Sequence, residues 1–204
     1  MVQSAGDRGR RVARLWWIAS VPIAVIGIRA LALGDARPEG GKVLDSHLVD
    51  HVHFALGGVA LLTGLVAIHP RVSSRRPRLH RNCGRIYAVA VLGSGLAALL
   101  MATEAIGGPV AHAGFGALAL LWLATTAAGV REARGRRFTR HRRWMVRSYA
   151  LCLAAVTLRV LLPTLAATLD DFETAYRITA WGCWVPNLLL AEGWLARRPT
   201  GRGT

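Results

Sequence analysis

Cysteine is scarce in this chain: three residues in 204, at Cys83, Cys152 and Cys183. They are too few for a disulfide framework and too far apart for a paired-cysteine metal site. No HExxH, GxSxG or P-loop pattern occurs, so the common signatures of zinc hydrolases, serine hydrolases and nucleotide-phosphate cradles are missing. Low-complexity segments are absent. Acid is scarce as well, with 11 Asp and Glu against 26 Lys and Arg and a formal net charge of +15. The first apolar run carries Arg29 near its far end and shows no convincing small-residue cleavage site. It is therefore expected to stay as a span rather than to be removed as a leader.

What the chain has instead is apolar length. Of its residues 53% are apolar, and the mean hydropathy is +0.35. Six runs of roughly 18 to 22 mainly apolar residues suit a bilayer core. They lie near 16–33, 52–69, 86–103, 110–130, 148–168 and 176–195. The expected fold is all-α: a polytopic membrane protein with six transmembrane helices in one domain over 16–196. Spans two to five form a four-helix core. A basic arm, 1–15, precedes it and a basic tail, 197–204, follows. Gly57, Gly58 and Gly64 would let a neighbouring helix come close to the second span, as small residues do in membrane bundles.

Of the 26 basic residues 21 fall on alternating connections, and the other face carries only Arg37, Lys42 and Arg177. Arg8, Arg10, Arg11 and Arg14 precede span one, Arg71 to Arg85 precede span three, Arg131 to Arg147 precede span five, and Arg197, Arg198 and Arg202 follow span six. The other connections carry Asp35, Glu39, Asp45, Asp50, Glu104, Asp170, Asp171 and Glu173. By the positive-inside rule both termini lie in the cytoplasm. Arginines that flank membrane runs are an orientation signal, and nucleic acid is not the expected partner.

Two stretches echo each other. Pro77 to Tyr87 reads PRLHRNCGRIY, and Arg140 to Tyr149 reads RHRRWMVRSY. Each places a His and an Arg in an arginine-rich connection, then a second Arg and a Tyr at the entry to an apolar run. His53 and His112 open the runs at 52–69 and 110–130. The topology puts His53 and His112 near the outer face and His80 and His141 near the inner face. Each pair comes from alternate helices, which can face one another across a four-helix bundle. Two imidazoles can take both axial positions of a haem iron, and arginines beside them can neutralise the propionates. Arg81, Arg85, Arg142 and Arg147 are placed for that role.

The first reading is therefore a b-type di-haem electron carrier, with metal ligands His53, His112, His80 and His141 and with a quinone or small reductant as partner. The outer site is expected to be the better formed, because Ala60, Gly64 and Ala67 follow His53 at near-heptad spacing. The alternative is a non-redox protein that binds an anionic lipid or other anionic ligand in an arginine- and histidine-rich cytoplasmic pocket. Histidines at helix ends also serve as plain hydrogen-bonding groups, and Tyr87, Tyr149 and the tryptophans suit interface anchors. Arg159 should face protein or water, and Asn187 and Glu192 either pair with it or cap a break at Pro186.

Two resemblances add to this. The histidine order over 46–168 is similar to the cytochrome b-561 type of membrane electron carrier. That similarity implies two haems, ligated by spans two and four on one side and three and five on the other. The pieces LHRNCGRIY, GFGALALLWLATTAA at 114–128, HRRWMVRSYALCLAAVTLR at 141–159, and Trp184-Val185-Pro186-Asn187 followed by Glu192 carry the second. With His53 and Gly64 they resemble an uncharacterised bacterial membrane-protein family, domain-of-unknown-function family 2306. This implies a multi-pass inner-membrane protein and no particular activity.

Overall fold

The structure is a computed structural model that describes residues 46–197; the expected arm, first span and most of the tail lie outside the described residues. Every element among the described residues is helical: α1 (Ser46–Ile68), α2 (Pro70–Arg75), α3 (Pro77–Ala102), α4 (Gly108–Arg134), α5 (Phe138–Cys152), α6 (Ala154–Thr168), α7 (Phe172–Gly182) and α8 (Val185–Ala196). Four stretches are long and apolar enough to cross a membrane: Leu48–Ile68, Pro77–Ala102, Gly108–Arg134 and Phe138–Thr168. They match the second to fifth expected spans. The arginine-rich connection before the fifth is itself helical, because α4 runs on to Arg134 and α5 begins at Phe138.

Local chemistry sets the helix ends. Pro77 opens α3 and Pro109 sits in the first turn of α4, where a missing N–H costs nothing. Gly107 and Gly108 turn into α4 with φ of 96° and 63°, a region that favours glycine. Asp171 caps α7, accepting from the N–H groups of Glu173 at 3.0 Å and Thr174 at 3.2 Å. The Thr174 hydroxyl, and then the Glu173 N–H, hold the Asp171 carboxyl below its ordinary range. A carboxylate pKa lowered by folding stabilises above the unfolded pKa and stops doing so as pH falls through the folded value.

The sixth expected span is not one helix. It divides into α7 and α8, of 11 and 12 residues, each shorter than the ~20 that a single span needs. Pro186 lies in the first turn of α8. It has no N–H to continue the ladder, and its ring crowds the preceding turn. Side chains take over carbonyls around the break. Trp184 Nε1 donates to Ala180 O at 2.9 Å, and Asn187 Nδ2 donates to Cys183 O at 3.1 Å. Pro163, by contrast, lies inside α6 without ending it.

Helices α1, α3, α4 and α5 form a ring in which each packs on the next, with α1 closing on α5; α7 lies against α4 and α6, and α8 against α5. The diagonals of the ring are therefore α1–α4 and α3–α5. Ala60, Leu61, Leu65, Tyr87, Val91, Trp122, Tyr149 and Leu151 fill the centre. Val89, Leu92, Leu96, Leu120 and Leu189 are exposed. Large apolar side chains outside as well as inside are what a lipid solvent allows, since lipid tails are as apolar as the core.

Gly64 earns its place among the expected packing glycines. A Cβ there would stand 2.7 Å from the Tyr149 ring and 2.8 Å from the Tyr87 ring, whereas one at Gly58 would meet nothing within 4 Å. Gly64→Ala is expected to destabilise the bundle by about 1–3 kcal/mol through overpacking. Gly58→Ala should leave stability unchanged. Thermal unfolding of both variants in detergent checks this, and equal melting temperatures would remove Gly64 from the packing argument.

Candidate functional site

The two echoing stretches begin α3 and α5, and each contributes its histidine to the same end of the ring. His80 Nδ1 lies 3.0 Å from Ala67 O near the C-terminus of α1. His141 Nδ1 lies 2.8 Å from Gly129 O on α4. A carbonyl can only accept, so Nδ1 carries a proton in both rings, and in the neutral imidazole that leaves the lone pair on Nε2. Each histidine ties its helix back to the preceding long helix. The echo in sequence is thus a repeated structural unit, a helical hairpin pinned by an imidazole. Across the α3–α5 diagonal the two rings stand 6.4 Å apart between centroids, at 84° to one another. Both are half-buried.

Beneath them the diagonal is filled by polar side chains that all find partners. Trp122 Nε1 donates to Tyr87 Oη at 3.3 Å. The Tyr87 hydroxyl and Ser148 Oγ are 2.6 Å apart, and Ser148 Oγ and Thr126 Oγ1 are 2.7 Å apart. Thr126 Oγ1 donates to Trp122 O at 2.8 Å. That last bond sets the direction of the others. Thr126 has given its proton away, so it accepts from Ser148, and Ser148 accepts from Tyr87. The circuit starts and ends on Trp122 and uses every proton. Tyr87 and Ser148 are wholly buried and Thr126 is 4% exposed. Tyr149 Oη, alongside, donates to Leu61 O at 3.2 Å.

Tyr87, Tyr149, Trp122 and Trp184 are therefore core residues and not the interface anchors that their type suggested. Buried aromatic O–H and N–H groups need partners, and the small polar residues Ser148 and Thr126 supply them. Those two were missed in the sequence. The available signals were Ser148 directly before the second motif's tyrosine and Thr126 one helical turn after Trp122.

The opposite end is built differently. His53 Nδ1 is 3.0 Å from both Ser94 O and Ser94 Oγ, while Ser94 Oγ donates back to His53 O at 3.0 Å. His112 Nε2 donates to Ala105 O at 3.0 Å in the turn before its helix. The two residues lie at the same end of the ring, but no ring contact joins them among the described residues. The pair in ring contact is the one at the arginine-rich end, the reverse of the expectation that the outer site is the better formed.

The arginines divide in the same way. Arg81, Arg85 and Arg142 are exposed at the arginine-rich end, and Arg142 stacks 6.0 Å from the Trp194 ring centre. Arg147 is committed elsewhere: it holds Glu192 of α8 in a two-pronged ion pair and lies 4.9 Å over Trp144. It is a strut between α5 and α8, which removes it from the residues free to meet a propionate. Glu192 thus pairs with Arg147 and not with Arg159, which donates to Ala155 O on its own helix. Asn187 joins Thr157 on α6 at 3.0 Å. No cluster of three or more His, Cys, Asp or Glu able to hold a metal ion occurs among the described residues. The donor set on offer is a pair of imidazoles.

Four spanning stretches around a polar-bonded core, with apolar side chains outward, define an integral, multi-pass membrane protein. The chain belongs to the family of predicted membrane proteins known as domain of unknown function 2306, whose model matches residues 51–195. No curated protein and no solved structure matches it.

Tyr87→Phe leaves Trp122 N–H without an acceptor and Ser148 without its donor. It should cost about 1–3 kcal/mol, the penalty for unsatisfied buried groups. In a double-mutant cycle with Ser148→Ala the two losses should fall well short of additive. Additive losses in detergent melts would show that the circuit is not a unit.

Proposed function

We propose that His80 and His141 would together hold one b-type haem, and that the protein carries electrons in the bacterial inner membrane. The observation that carries this reading is the shared tautomer of two rings 6.4 Å apart. A ligating histidine almost always donates its other ring N–H to a carbonyl or carboxylate, which fixes its orientation and raises its basicity. Two nitrogens on one metal stand about 4 Å apart, at roughly 2 Å each, and that spacing suits ring centres at the separation seen. The group would supply one-electron redox chemistry.

The chain's own residues do the rest. Ala67 and Gly129 carbonyls hold the imidazoles in place. Arg81, Arg85 and Arg142 offer positive charge to carboxylates at that end. Tyr87 and Tyr149, buried below, close the bundle, so a ligand enters from the arginine-rich end. By the positive-inside rule we assign that end to the cytoplasm, with both termini on the same side, and we take a quinone or small reductant as the redox partner. His53 stands about 21 Å from the level of Ala67, at 1.5 Å per residue along α1. Because no ring contact joins it to His112, the proposal is confined to one site and does not extend to a relay across the bilayer.

Protein purified from haem-replete cells should show a b-type Soret and α-band in its reduced-minus-oxidised spectrum. His80→Ala and His141→Ala should each abolish the bands, while His53→Ala and His112→Ala should retain them. A colourless wild-type protein would overturn the reading and leave the arginine- and histidine-rich end as a pocket for an anionic ligand. Bands that survive loss of both His80 and His141 would overturn it too.

A further inference from the structure

A mainly apolar groove of about 340 Å³ runs between α3 and α4, with Thr126 of the hydrogen-bond circuit in its wall. That volume lies at the small end of the roughly 300–1,000 Å³ typical of ligand sites. Ala88 and Leu92 line it from α3, and Leu123, Ala127 and Val130 line it from α4. At one end it meets Arg131 and Arg134, in the last turn of α4. Both arginines are exposed.

The charge at that end is only partly compensated. Glu132 is the carboxylate beside it, but Glu132 is buried and held by Arg137 through two hydrogen bonds. Its contact with Arg131 is only 3.9 Å. Arg134 makes no ion pair among the described residues. The groove's length is informative as well. From Leu123 to Arg134 the helix rises about 16 Å, close to one leaflet of a hydrocarbon core about 30 Å thick.

We infer that this groove is a binding site for an anionic glycerophospholipid. One acyl chain lies along the apolar lining, and the headgroup phosphate sits against Arg131 and Arg134. An open groove between two spanning helices, following α4 for about the depth of one leaflet and ending in two arginines, matches the shape and charge of such a lipid. A zwitterionic lipid would bring its own cation to the same arginines, and a free anion would leave the apolar lining unused. The site is independent of the haem reading, since it shares none of the residues assigned to that ligand.

The test is thermal unfolding of the full chain in a neutral detergent with added lipid. Phosphatidylglycerol at saturation should raise Tm by about 5 °C, and phosphatidylcholine with the same chains should raise it far less. Glycerol 3-phosphate alone should have no effect. Arg131→Gln with Arg134→Gln should abolish the gain, as should Ala127→Phe, which fills the groove from an exposed position. Arg75→Gln with Arg78→Gln, at the same end of the ring but off the groove, should keep it. Equal stabilisation by phosphatidylcholine or by glycerol 3-phosphate would overturn the inference. So would a full gain in either groove variant, or an equal loss in the control pair.

Discussion

The structure depends on one closed circuit of hydrogen bonds, Trp122 to Tyr87 to Ser148 to Thr126 and back to the Trp122 carbonyl. In lipid there is no water to satisfy a polar group, so a buried hydroxyl must find its partner within the protein. Four side chains from α3, α4 and α5 do so for one another. Their bonds fix how far α3 stands from α5 across the ring, and that distance sets where the helix ends above it lie. Because every proton in it is donated to a partner within the bundle, the circuit acts as a structural clamp.

The clamp and the histidine pair belong to the same repeated unit. Each of α3 and α5 starts with an imidazole that reaches back to the preceding long helix, and each continues into a tyrosine buried about two turns further on. The two tyrosine rings stand 6.5 Å apart, almost the same separation as the two imidazoles above them. Gly64 supplies the room for both tyrosines. The diagonal thus brings two like rings together twice, once as imidazoles and once as tyrosines. The opposite end lacks this repetition: His53 answers to Ser94 on the neighbouring helix, and His112 to a loop carbonyl.

Around this core the polar residues of the outer helices work as struts. Arg147 with Glu192 holds α8, Thr157 with Asn187 joins α6 to α8, and Arg177 reaches Gly107 O at 3.0 Å to hold α7 to the start of α4. These bonds compensate for a span broken in two. The freed carbonyls near Cys183 are met by Trp184 and Asn187, so the break at Pro186 leaves no buried polar side-chain atom without a partner among the described residues. At the charged end of the α3–α4 groove, by contrast, Arg134 makes no ion pair among the described residues.

By itself the sequence determined the helical class, the position of four spanning stretches, the end at which the arginines collect and the membership of each histidine in one end or the other. All of these follow from local quantities: run length, hydropathy, charge and chain direction. It also marked His80 and His141 through the echo, because a repeated motif is visible without a structure. Only the tertiary structure decided which histidine pair meets, since that depends on which helices stand across a diagonal and how far apart they are held. It alone showed Arg147 bound to Glu192, 45 residues away, and Tyr87 bound to Ser148, 61 residues away. No local pattern encodes such partners. A tyrosine or arginine at the edge of an apolar run looks the same whether it faces headgroups or core, and the choice is made by the neighbouring helix that either offers a partner or does not.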